Sequence, residues 1–134
     1  MTGGKLPWLI AGGAALGLVA VLVVVHGAKG ANHPDSRPGV TAERVLAPLM
    51  VPNTPSAAEA YAAARGAPAV LDGIYCHCNC SRTAGHRSLL TCFESEHGAY
   101  CDICTGEALL ASQLAARGST LRQIRQAIDR QFGS

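Results

Sequence analysis

All six cysteines of this chain fall between Cys76 and Cys104, with three histidines among them. The run reads Tyr75-Cys76-His77-Cys78-Asn79-Cys80, then Gly85-His86, Cys92, and Cys101-Asp102-Ile103-Cys104. Thiolates interleaved with imidazoles suit Zn(II) or the softer Cu(I), whereas Ca or Mg would want carboxylates. Alternate residues of an extended strand lie about 6.6 Å apart, too far for one ion. Shared ligation by Cys76, Cys78 and Cys80 therefore requires the backbone to curl, and Asn79 tolerates the left-handed geometry a tight loop needs. Cys101-x-x-Cys104 sits at the expected start of a helix. Free N–H groups and the helix dipole there stabilise a thiolate.

The candidate ligands are Cys76, Cys78, Cys80, Cys92, Cys101 and Cys104, joined by His77 and His86, in one site rather than two. His97 lies beside Glu94 and Glu96 and reads as part of a solvated acidic turn. Copper as Cu(I) is the expected ion on softness, with zinc second, and clustered thiolates couple binding to folding. Three disulfides are the main rival, pairing Cys76, Cys78 and Cys80 with Cys92, Cys101 and Cys104. A thioredoxin-like oxidoreductase lacks its later proline loop, since no proline follows Pro68. Thr105 after the Cys-x-x-Cys excludes c-type haem, which needs histidine there, and the spacing matches neither common ferredoxin pattern. With no acid–base pair, Ser-His-Asp set or phosphate loop in view, a non-enzyme is expected.

These residues must be positioned by a small, mostly α domain over 56–134. Ser56-x-x-Glu59 has the form of a capping box, opening an alanine-rich helix that Gly66 and Pro68 stop. Val70 to Tyr75 is a short apolar approach, and 81–97 is a loop with one helical turn near Ser88–Phe93. Ile103, Leu110 and Leu114 mark the stripe of a helix ending before Gly118. Ser119 or Thr120 caps another, with stripe Leu121, Ile124, Ile128 and Phe132. So short a joint demands an αα-hairpin, whose stripe is expected to cover the cysteine loop. Arg122, Arg125 and Arg130 read as its solvated face.

Only 15% of residues are charged, against roughly 25% in average domains. The apolar excess lies in Leu6–Val25, twenty residues without a charge, which as a helix span about 30 Å, the thickness of a bilayer core. The expected organisation is a signal anchor over 1–26, a flexible Pro/Gly-rich linker over 27–55 and the cysteine-rich domain over 56–134. A cleaved signal with Ala31 as new terminus is the competing reading. Either sends the domain out of the cytoplasm, into a periplasm or the cell exterior. Pro34, Pro38, Pro48, Pro52 and Pro55 mark the linker as a stalk, with one short turn around Thr41–Leu46. His33 and Met50 within it read as solvated or locally packed. A formal charge of +2 makes no case for nucleic acid, leaving the membrane and a copper-handling or respiratory membrane protein as expected partners.

Tyr75 to Cys80, followed by Gly85-His86, Cys92-Phe93, His97-Gly98 and Cys101-x-x-Cys104, resembles the bacterial PCYCGC-motif family over roughly Ala60–Phe132. The resemblance implies a small, exported, membrane-anchored protein with a shared cysteine site and no established activity. Here Tyr75, His77 and Asn79 stand at the family's Pro, Tyr and Gly positions. No cysteine precedes Cys76, so the Leu6–Val25 segment takes the place of the family's lipid-modified cysteine.

Overall fold

The computed structural model describes residues 30–133, and Leu6–Val25 lies outside them. Among the described residues the regular structure is entirely helical, and no helix is long and apolar enough to cross a membrane. The described residues form five α-helices: α1 (Ala57–Gly66), α2 (Pro68–Asp72), α3 (Cys80–Thr83), α4 (Asp102–Ala116) and α5 (Leu121–Phe132). Short 3-10 turns at Ala42–Arg44, Pro48–Met50, Leu89–Phe93 and Glu96–Tyr100 complete the secondary structure.

The centre of the domain is the α1–α4 pair. Ala57, Ala60, Tyr61 and Ala64 form the buried face of α1, and Cys104, Thr105, Glu107, Ala108 and Ala111 that of α4. Alanines on both faces let the two backbones approach closely, because packed helices are separated by their contacting side chains. The stripe of α4 is therefore not the one expected. Ile103 is exposed, Leu110 and Leu114 are half-buried, and the core face is rotated onto small residues and Cys104. Placing Cys104 inward fixes that rotation.

Pro68 opens α2 as its first residue, where a missing N–H costs nothing, immediately after α1 ends. The expected capping box of α1 does not form. Ser56 is left-handed at φ 62° and its side chain caps nothing, whereas that box needs an extended residue at the cap. The preceding chain is held by Thr54 Oγ1, which donates to the Ala99 carbonyl at 2.6 Å. The true box lies at α5, where Thr120 Oγ1 accepts from Gln123 N and Gln123 Oε1 accepts from Thr120 N.

α4 and α5 form the expected hairpin, turning at Gly118 with φ +81°, a conformation that favours glycine. Ile124 and Ile128 are buried, each contributing about 1.5–3 kcal/mol. Arg125 is not on a solvated face. Its Nε donates to the Gly73 carbonyl at 2.7 Å and its Nη2 to that of Pro34 at 2.8 Å.

The largest departure concerns residues 30–55. They do not behave as a stalk but run along the domain as a strap. Val45 is buried, Leu46 N donates to the Phe93 carbonyl, and Arg65 holds the Val45 carbonyl. Prolines suit this course because an extended strap outside a helix or sheet needs few backbone donors. His33 is locally packed, as expected, with Nε2 3.1 Å from Asp129, while Met50 is exposed.

Candidate metal centre

The loop carrying the first three cysteines is pinned at its backbone. Ile74, buried, accepts from Leu89 N at 2.8 Å, and His33 Nδ1 accepts from Tyr75 N at 3.0 Å. The His77 N–H then donates to Oε1 of buried Glu107 at 2.9 Å. Asn79 reverses the chain at φ 65°, ψ 14°, and Cys80 begins α3. The loop is thus curled as shared ligation requires, and the sulfurs of Cys76 and Cys78 lie 3.4 Å apart.

The other three cysteines come to meet them. Cys92 lies in the 3-10 turn Leu89–Phe93, whose Phe93 packs edge-on against Tyr61 with ring centroids 4.9 Å apart. Its sulfur is 3.4 Å from that of Cys80. Cys101 is the N-cap of α4, its sulfur accepting from Cys104 N at 3.5 Å, and Asp102 adds an acidic group to the first turn. Cys104 Sγ lies 3.5 Å from Cys76 Sγ and 3.6 Å from Cys78 Sγ. All six cysteines are unbonded to one another.

Three overlapping four-donor sets result, each with its ligand atoms within 4.8 Å of one another. They are Cys76, Cys78, Cys92 and Cys104; Cys78, His97, Cys101 and Cys104; and Cys78, Cys80, Cys92 and His97. Metal–sulfur bonds of about 2.3 Å place tetrahedral sulfurs about 3.8 Å apart, close to the spacing found here. The donors fit a thiophilic ion. These residues form one contiguous cluster rather than separate cages.

The histidines divide differently from the sequence expectation. His97, set aside there, belongs to two of the sets, with Nε2 3.9 Å from Cys78 Sγ. Its flanking acid Glu94 is not a free solvated charge, since Arg37 and Arg44 of the strap neutralise it. His86 belongs to none of the sets; its Nδ1 lies 3.3 Å from Cys92 Sγ and its ring packs edge-on against His97. His77 faces away from the sulfurs. Its Nε2 is 3.0 Å from Asp129 Oδ1 without hydrogen-bond alignment, its Nδ1 is 3.7 Å from Glu107, and burial lowers its pKa toward the neutral ring. The turn at His77–Cys78 closes the sulfurs of Cys76 and Cys78 on each other and leaves the His77 ring beside Asp129 and Glu107. The signal for His97 was its position four residues before Cys101, which the 3-10 turn Glu96–Tyr100 converts into proximity.

Charge is distributed unevenly over the cluster. Contact with Cys104, and then burial, push the Cys76 thiol up. Contact with Cys104 lowers the Cys92 thiol and contact with Cys76 raises it; contact with Cys76 lowers the Cys104 thiol and contact with Cys92 raises it; burial then carries both well above the ordinary thiol range. Burial together with Cys78 raises Cys80 to about 11. Burial would raise Cys78 too, but bonds from Cys80, His97 and Cys76 outweigh it and bring this half-buried thiol to about 6. Burial also lifts the carboxyl of Glu107 to about 7, although Cys76 and the His77 N–H pull it the other way.

A family model described as protein of unknown function with PCYCGC motif matches residues 26–134. The chain belongs to this family. No curated protein and no solved structure matches it. The family match takes in the strap as well as the cysteine domain, in keeping with the packing of 30–55 on the cluster's supports. Within the PCYCGC segment of this member, the glycine position is the left-handed Asn79, and the tyrosine position is His77, which faces Asp129 and not the sulfurs.

Proposed function

We propose that this PCYCGC protein is a membrane-anchored, extracytoplasmic binder of a soft metal, Cu(I) before Zn(II), acting in metal delivery or protection and not as an enzyme. The observation that carries the reading is the convergence of six cysteine sulfurs and His97 from four separate elements into sets spanning no more than 4.8 Å. Sulfur-dominated donors favour Cu(I) over harder ions. The Leu6–Val25 segment supports the anchor and the export. Its expected partner is a copper-handling or respiratory membrane protein that exchanges the ion through the half-buried edge at Cys78, His97 and Cys101.

Elemental analysis of native protein purified without oxygen, followed by Cu(I) competition against a calibrated chelator, tests this. Metal should co-purify, and Cys78→Ser and Cys101→Ser/Cys104→Ser should each lose most of the affinity. Tight binding retained by the double variant would remove that pair from the centre.

The sulfur contacts also favour a second reading, a disulfide-stapled accessory subunit of a membrane complex. Cys76 lies against Cys104, Cys80 against Cys92, and Cys78 within the same donor set as Cys101. Six masked but reducible sulfurs and no metal in the native protein would decide for that reading.

A further inference from the structure

The three donor sets are linked in a particular way. Cys78 belongs to all of them; Cys104, Cys92 and His97 each belong to two; Cys76, Cys101 and Cys80 each belong to one. They are arranged as a ring around the Cys78 sulfur, each neighbouring pair sharing that atom and one further donor. A tetrahedral ion takes four ligands, so a single ion leaves three donors unused, among them at least two sulfurs. Those sulfurs would sit against ligated ones, as Cys80 sits 3.4 Å from Cys92 and Cys76 sits 3.5 Å from Cys104.

Sulfur and imidazole differ in what can be shared. A thiolate sulfur has several lone pairs and can bridge two ions, whereas an imidazole nitrogen has one and serves a single ion. The two sets that contain His97 therefore compete for it. The all-sulfur set of Cys76, Cys78, Cys92 and Cys104 is compatible with either. We propose, resting on the soft-metal reading above, that the centre holds at least two ions at once, joined through Cys78 and Cys104 as bridging thiolates. One ion is inner, on Cys76, Cys78, Cys92 and Cys104, three of which are buried; the other is outer, on Cys78, His97, Cys101 and Cys104.

The two positions differ in access. Cys76, Cys92 and Cys104 are at most 3% exposed, while His97, Cys78 and Cys101 are half-buried, and Tyr100 and Ile103 beside Cys101 stand open to solvent. The outer ion is the exchangeable one, and the inner ion is retained and holds the cysteine loop to α4. Delivery then draws on the outer position without dismantling the fold that the inner ion supports.

Anaerobic Cu(I) titration of the full chain, followed by native mass spectrometry and copper X-ray absorption, tests the sharing. Wild type should fill to two or more Cu(I) per chain and show metal–metal scattering. His97→Ala/Cys101→Ser, which alters only half-buried positions, should lose one ion and the metal–metal scattering while keeping another tightly bound. An added chelator should remove one ion from wild type at least tenfold faster than the last. Saturation of wild type at one ion with tight binding intact overturns the shared centre and leaves the soft-metal function standing. Failure to retain any Cu(I) overturns both. Loss of all copper in the double variant, with its helical circular dichroism unchanged, overturns the division into inner and outer positions.

Discussion

The backbone N–H of Arg37 donates to Oδ2 of Asp72 at 2.7 Å, and the Arg37 guanidinium holds both oxygens of the same carboxylate. Asp72 is the last residue of α2, fully buried, and it also accepts from Arg87 and Ser88. Four residues later the chain reaches Cys76. The strap and the cysteine loop therefore share one anchor, and a proline-rich stretch far from the cluster in sequence becomes part of its support.

Arg37→Ala removes charge-assisted bonds to a buried acceptor and should destabilise the domain by about 1.5–3 kcal/mol. Urea unfolding of wild type and variant measures this. A difference under about half a kilocalorie, the range of ordinary surface sites, would show the strap to be dispensable.

Asp72 also sets an acid dependence. Burial would raise its carboxyl, but the bonds from Arg37 and Ser88 more than offset that and bring it to about 2. An unfolded aspartate titrates near about 3.9. The stabilisation, about 2–3 kcal/mol, is complete above the unfolded value and is lost as pH falls through the folded one. Asp72→Asn should be less stable near neutrality and should show a flatter stability profile between about pH 4 and pH 2. Parallel profiles for the two proteins would assign the acid dependence to other groups.

Gly98 is buried in the 3-10 turn before Cys101, and a Cβ there would meet the Phe93 ring at 2.9 Å and the Cys92 carbonyl at 3.0 Å. Neither the packed ring nor the backbone can yield cheaply. Gly98→Ala should cost about 1–3 kcal/mol by overpacking, read from thermal or denaturant unfolding, and unchanged stability would mean the turn relaxes.

Ile128 is fully buried on α5. Ile128→Ala leaves a cavity beneath the hairpin and should destabilise by about 2–5 kcal/mol. The denaturation midpoint reports it, and a shift close to zero would place α5 outside the cooperative core.

His97 and His77 should separate in metal binding. His97→Ala removes a donor from two of the three sets but not from the all-sulfur one, so affinity for the outer, exchangeable Cu(I) should fall by at least tenfold while the inner ion stays bound. His77→Ala removes none, and should keep the copper stoichiometry of wild type. Chelator competition on both variants decides it; the reverse ranking would restore His77 as the ligand.

Much of the fold is written locally. Helix α1 is visible in its alanines and its Gly66–Pro68 stop, and α5 in its Thr120 cap and its Ile124/Ile128 stripe, because helix signals act within a few residues. The six cysteines and the need for a curled loop at Asn79 are equally local, since spacing limits where sulfurs can reach. Other features depend on partners distant along the chain. The packing of 30–55 comes from Arg37 meeting Asp72 and Leu46 meeting Phe93, neither of which composition can reveal. The rotation of α4 follows from close approach to α1, which favours Cys104 and alanines over the larger stripe of Ile103, Leu110 and Leu114. The exchange of His77 for His97 is of the same kind. Sequence neighbourhood placed His77 between two ligands, but the direction of its side chain was decided by Asp129 and Glu107 from the hairpin, while the turn before Cys101 carried His97 to the sulfurs. Residue types and spacing determined which donors this protein could offer a soft metal; three-dimensional packing decided which of them converge, because a side chain's direction is set by contacts that only the folded chain makes.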